Sequence, residues 1–209
     1  LLNIVVKEEA YDGDFINAIG ADATLDCFTL QYRETDWAFL KRLASRFHMP
    51  LVADDKAPVP RIRFGISFYG EVAEFKNYNY RAIRSLAKYR AISQNHESNY
   101  LETDTLFYEI YTENDKTAYE IGDTVRFREV LFQIYAVDTF IKDHILCHTY
   151  VLSSKNSFYQ PGLFNENVVG LSLKGKVLEV AKNQLRVHLD IDQEQPPNPY
   201  WFTYATLYS

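Results

Sequence analysis

Sulfur and glycine are scarce in this chain. Two cysteines, Cys27 and Cys147, one methionine and eight glycines stand among 209 residues. Two thiols make one disulfide at most, which excludes a disulfide-framed secreted scaffold and makes a reduced, intracellular origin the default. Apolar runs are only a few residues long, so no membrane-spanning helix is expected. Positive charge is not in excess: the net charge is −6. A nucleic-acid-binding surface would be basic, and none is expected. Neither a G-x-S-x-G elbow nor an HExxH pair occurs, which removes two common routes to hydrolysis. There is no secretory leader pattern, and the first residue is Leu1 rather than Met; an internal fragment or trimmed chain is the expectation.

Aromatic side chains, in contrast, are plentiful, with sixteen Tyr and fourteen Phe, and apolar residues reach 47%. That suffices for a real core. Aromatics favour strands and are also enriched at protein interfaces. Short strand-like runs recur: Leu1–Val6, Leu51–Ala53, Arg61–Tyr69, Leu106–Tyr111, Thr124–Arg128, Phe132–Val137 and Ile145–Leu152. In Arg61–Tyr69, Ile62, Phe64, Ile66 and Phe68 share one face. Turns are expected at Tyr11–Asp14, Gly122-Asp123 and Lys142-Asp143. Residues 153–169 read as a connecting loop. Strands this close, joined by short turns, predict an antiparallel barrel or sandwich. The clearest hairpin is Lys176–Ala181 with Gln184–Ile191 around Lys182-Asn183. In its second strand Leu185, Val187, Leu189 and Ile191 face one way, and Arg186, His188, Asp190 and Asp192 the other.

Two segments carry a helical pattern. Thr35 is a good N-cap, and Asp36 suits the first turn of the helix dipole. Trp37, Leu40, Leu43, Ala44 and Phe47 form an apolar stripe, Lys41, Arg42 and Arg46 fall late, and Met49-Pro50 ends the helix. Phe28, Leu30 and Tyr32 alternate before it like a strand. The second segment, residues 80–93, places Ile83, Leu86, Ala87 and Arg90 on a helical stripe. It is basic through Lys76, Arg81, Arg84, Lys88 and Arg90, which reads as a solvated face or as a patch for an acidic partner.

The string QYRETDWAFLKRLASRF (Gln31–Phe47) resembles the signature of the late control protein D family, which includes tail-hub proteins of contractile phages and the VgrG spike proteins of type VI secretion. Two further stretches are similar in order and spacing: Leu163–Val177 (LFNENVVGLSLKGKV) and Leu185–Asp192 followed by Tyr200-Trp201. The signature positions are Tyr32, Thr35, Asp36, Trp37, Leu40, Leu43, Phe47, Gly170 and Gly175. The resemblance implies an α+β, β-rich chain of barrel-like tail-hub domains with one or two short helices. Its expected parts are a hub domain over 1–95 with the signature helix, a barrel-like domain over 96–170, and the start of an oligonucleotide/oligosaccharide-binding-type barrel over 171–209. It also implies a homotrimer that joins tail tube, baseplate and spike. Such a protein is assembled in the bacterial cytoplasm and becomes part of a virion tail or injection apparatus, with no membrane insertion by this segment.

Three groups of residues have the look of chemical sites. Gly170–Val177 nearly spells a phosphate-binding loop, but Val177 stands where Ser or Thr must hold Mg²⁺, and a strand follows instead of a helix. His144, Cys147 and His148 look like metal ligands in a row. On a strand His144 and His148 stand roughly 13 Å apart and Cys147 points the other way, too far for ligand distances of about 2.0–2.3 Å. Glu102, Asp104, Glu109, Asp190 and Asp192 supply carboxylates; Asp190 and Asp192 share a strand face, which reads as solvated before it reads as a pair. No catalytic, cofactor or metal site is expected. The alternatives are a carbohydrate- or peptide-binding β-module using exposed aromatics, and part of a spike-borne cell-wall hydrolase.

Overall fold

The computed structural model describes residues 13–20, 23–25, 27–54, 58–68, 70–76, 79–87, 90, 106–113 and 117–205. The expected strand Leu1–Val6 lies outside them, as does most of the far half of 80–93. The chain is α+β and β-rich, and it divides into two compact units. One comprises residues 1–23 and 35–164, the other residues 24–34 and 165–209.

In the first unit, β1 (Asp14–Asn17), β2 (Leu51–Asp54) and β3 (Arg61–Phe64) form a small sheet of order β1-β3-β2. β3 is shorter than the alternation of 61–69 suggests. Gly65 follows at φ 89°, and a Cβ there would stand 2.8 Å from Ile19 Cγ1, so the strand turns where only glycine fits. Arg63 crosses the sheet to pair with Asp54 at 3.6 Å and with Glu120.

Helix α1 (Asp36–Ser45) follows its expected start: Thr35 Oγ1 accepts from Ala38 N at 3.2 Å. It ends before Met49-Pro50. His48 at φ 55° sends its N–H to Ser45 O at 3.0 Å, and Met49 N–H reaches Ala44 O at 3.2 Å. That bond pair is a Schellman ending with histidine in the left-handed position. The buried face is Phe39, Leu40, Leu43 and Ala44. Trp37 is 43% exposed, contrary to the stripe drawn from sequence. It lies six residues before Leu43, and at 3.6 residues per turn that is about 120° round the helix.

The main sheet has six strands: β4 (Glu71–Phe75), β5 (Tyr80–Arg84), β6 (Leu106–Glu113), β7 (Thr124–Phe127), β8 (Val130–Lys142) and β9 (Ile145–Ser153), in the order β4-β7-β8-β9-β6-β5. Its pairs are antiparallel except β4 with β7, and in the small sheet β1 also runs parallel to β3. The purely antiparallel expectation is corrected at these two places, where a long crossover separates the partners. The sheet is curled into a half-barrel. Tyr108 on β6 and Phe127 on β7 have ring centroids 5.5 Å apart. Three strand spacings separate β6 from β7, about 14 Å in a flat sheet. The concave face holds the core of Phe75, Ile110, Val125, Phe127, Ile134, Tyr150 and Leu152. Tyr150 keeps its hydroxyl satisfied there, donating to Thr117 O at 3.3 Å and accepting from Tyr119 N at 3.4 Å.

Tyr80–Arg84 is strand, not the helix its apolar spacing suggested; helical geometry touches only 86–87 and 90 among the described residues. Five consecutive pairings with β6 and the Arg81–Glu109 ion pair override the local pattern.

In the second unit, β10 (Gly175–Ala181), β11 (Gln184–Leu189) and β12 (Trp201–Thr203) form an antiparallel sheet of order β10-β11-β12. The turn at Lys182-Asn183 and the alternation of Leu185, Val187 and Leu189 against Arg186 and His188 are as expected. Residues 27–34 belong to the same unit but are not a strand. Phe28 packs its ring on Phe202 at 4.9 Å and on Tyr200 at 5.9 Å. Arg33 then takes φ 48°, which breaks any extended run.

Candidate functional site

The two longer stretches that carry the family resemblance meet through side-chain bonds to backbone. Asn165 Nδ2 donates to Tyr32 O at 2.7 Å, its Oδ1 accepts from Asn167 N at 3.0 Å, and Asn167 Nδ2 donates to Arg33 O at 3.2 Å. Asn165 is buried. The carbonyls of 32–33 thus find partners in asparagine amides rather than in a strand ladder. Asparagine suits this work because its short amide carries a donor and an acceptor and folds back on nearby backbone. Within the first unit, buried Ser45 donates to Arg42 O at 2.7 Å and accepts from Leu163 N at 2.9 Å, which fastens the start of the second stretch to the end of α1.

The signature positions divide by role. Thr35 caps α1, Asp36 sits in its first turn, and Leu40 and Leu43 are core. Phe47 is half-buried after the helix. Tyr32 contributes its carbonyl. Gly170 takes φ 72° in open space, whereas Gly175 opens β10 where a Cβ would stand 2.5 Å from Val187 Cγ1. Lys176 and Val177 lie on that strand, so the near phosphate-loop string runs into sheet rather than into a helix.

The metal-like row is separated by the fold. His144 occupies the β8–β9 turn at φ 65°, not the strand expected from sequence, because Asp143-His144 forms the two-residue reversal. Cys147 and His148 are both buried on opposite faces of β9. His148 Nδ1 lies 2.9 Å from Thr139 Oγ1, and its ring stacks on Tyr150. Neither Cys147 nor exposed Cys27 is in a disulfide. Among the described residues no group of three or more His, Cys, Asp or Glu is placed to hold a metal ion. Asp190 and Asp192 lie beyond the end of β11, where Asp192 N–H closes a turn onto Leu189 O at 3.0 Å; they are not the strand-face pair expected. Among the described residues no helix is long and apolar enough to cross a membrane.

Two surface features were not visible in sequence. One is a set of strongly exposed apolar side chains: Phe164 at 87%, Val169 at 82%, and Ile141 at 75% beside the β8–β9 turn. The other is a shallow groove of about 260 Å³ lined by Asn79, Tyr80, Arg81, Glu109, Tyr111 and Thr149. Glu109 and Tyr111 alternate with core residue Ile110 on β6, and Thr149 precedes core Tyr150 on β9. Period-two geometry therefore puts these three side chains on the convex face. Arg81 directs Nε at 2.8 Å and Nη2 at 2.6 Å to Oε2 of Glu109, leaving Oε1 outside the pair. Tyr111 donates to Cys147 Sγ at 3.2 Å. That bond, with desolvation and Glu113 adding to it, raises the phenol well above its ordinary value, so it stays neutral.

Comparison with protein-family models, with curated proteins and with solved structures finds no match.

Proposed function

We propose that this chain is a hub or spike-base component of a contractile injection machine, joining a tail tube to a spike. The observation that carries the reading is the asparagine staple. The stretches that resemble the late control protein D family lie far apart in sequence, yet Asn165 and Asn167 of one hold the carbonyls of Tyr32 and Arg33 of the other. A family signature spread along a chain is expected to converge in this way on one structural element. The curled β-rich sheet accords with a barrel-like hub domain, and β10–β12 with the start of a barrel of the oligonucleotide/oligosaccharide-binding type.

In this reading the protein is a homotrimer, seated among tube, baseplate and spike proteins after assembly in the bacterial cytoplasm. Its work is symmetry matching and mechanical support, without turnover or cofactor. Head-to-tail subunit contacts generate a ring where the rotation closes, and an obligate contact of this kind buries roughly 2,000 Å² or more. Light scattering over a concentration series tests it. The apparent mass is expected to rise from the 24.4 kDa chain toward three times that value. A strict dimer at every concentration overturns the ring.

A further inference from the structure

We propose that the convex-face groove between β5, β6 and β9 binds a short, uncharged saccharide. The ladder pairing sets two rungs side by side across this face. Arg81 stands opposite Glu109, while Tyr111 stands opposite Thr149 one rung further along. Same-face rungs are about 7 Å apart along a strand, and strands about 4.8 Å apart across the sheet. The resulting floor is narrow, and its roughly 260 Å³ falls below the range of about 300–1,000 Å³ that takes larger ligands. One or two sugar rings match it.

The chemistry points the same way. Arg81 and Glu109 cancel each other's charge, so a charged ligand would have to break a close ion pair to gain one. A hydroxylated neutral ligand leaves the pair intact and uses what it does not consume: Oε1 of Glu109 as acceptor, the remaining guanidinium N–H groups as donors, and the Thr149 hydroxyl as either. Planar ion-paired side chains hold donors and acceptors in fixed directions, as adjacent hydroxyls on a ring require. Tyr111 supplies an apolar ring beside them, its own hydroxyl engaged by Cys147 and so turned from the ligand. The groove lies on the first unit alone, and the proposal holds whether or not the chain forms a ring.

The test is saturation-transfer NMR and calorimetric titration of the intact chain with cellobiose, maltose and N,N′-diacetylchitobiose, with glycine and inorganic phosphate as charged counter-probes. At least one disaccharide is expected to bind saturably with a dissociation constant near the millimolar range, about −4 kcal/mol, and neither counter-probe to compete. Thr149→Val is expected to weaken binding about fivefold and Glu109→Ala about tenfold or more, with Lys176→Ala on β10 unchanged. Thr149→Val keeps the side-chain shape and serves if Glu109→Ala fails to fold. No saturable signal from any disaccharide, binding undiminished in both groove variants, or displacement by glycine or phosphate overturns the proposal.

Discussion

Replacing Asn165 separates a true staple from a coincidental contact. In Asn165→Ala two bonds disappear, the one to Tyr32 O at 2.7 Å and the one from Asn167 N at 3.0 Å. Each contributes about 1 kcal/mol net, and a carbonyl left unpaired in a part-buried place costs about 1 kcal/mol or more besides. The expected loss is therefore about 2–4 kcal/mol. Asn165→Asp is the sharper variant. It keeps the acceptor for Asn167 but sets a carboxylate oxygen against the Tyr32 carbonyl, so at neutral pH it should destabilise at least as much as alanine. Below about pH 4 the acid regains a donor and the deficit relative to wild type should shrink. The chain has two tryptophans, Trp37 in the first unit and Trp201 in the second. In a Trp37→Phe background the fluorescence of Trp201 reports the second unit alone. For so small a unit the urea m-value is near 1 kcal/mol per molar, so the midpoint should fall by about 2 M or more. A midpoint within about 0.5 M of wild type for Asn165→Ala, or an acid-insensitive Asn165→Asp, would refute the staple.

Leu43→Ala should cost about 2–5 kcal/mol in chemical denaturation, since Leu43 is buried in the helix core, whereas Trp37→Ala should cost about 1 kcal/mol or less because much of that ring already meets solvent. The raised Tyr111 phenol means that the folded state keeps a proton the unfolded chain gives up. The stability it contributes is complete below about pH 10, the unfolded value, and is lost as pH rises beyond it. Tyr111→Phe should remove that component, so the wild-type and variant stability curves should converge in strong alkali; parallel curves throughout would exclude the Cys147 bond as its cause.

Legibility in the sequence followed the range of the forces. The β10–β11 hairpin was plain because Leu185, Val187 and Leu189 alternate around a two-residue turn, and both signals are local. The helix start was plain for the same reason, Thr35 and Asp36 being three residues or fewer from the groups they serve. Sequence spacing alone misplaces the helix face, because Trp37 satisfies the spacing rule at the flank of the stripe and only the packed neighbours show where its centre lies. Tyr80–Arg84 reads as helix by its apolar spacing; its partner Leu106–Ile110 decides otherwise, and that partner is not adjacent in the chain. The asparagine staple gave no signal beyond two Asn residues in N-E-N, since the carbonyls they hold lie 133 and 134 residues earlier. The groove was equally silent: Arg81 sits in a run that resembles a basic helix face, and Glu109 in a strand among many carboxylates.

The discontinuity of the second unit has a consequence for synthesis on the ribosome. Residues 24–34 emerge early, but Tyr32 and Arg33 wait for asparagines more than 130 positions later. At about 5–20 residues per second the delay is on the order of ten seconds. Throughout it Phe28 lacks the rings of Tyr200 and Phe202 that receive it. The nascent chain thus carries Phe28 without its ring partners while the intervening unit is made. A shortened gene that stops before Asn165 would leave that segment permanently without its seat.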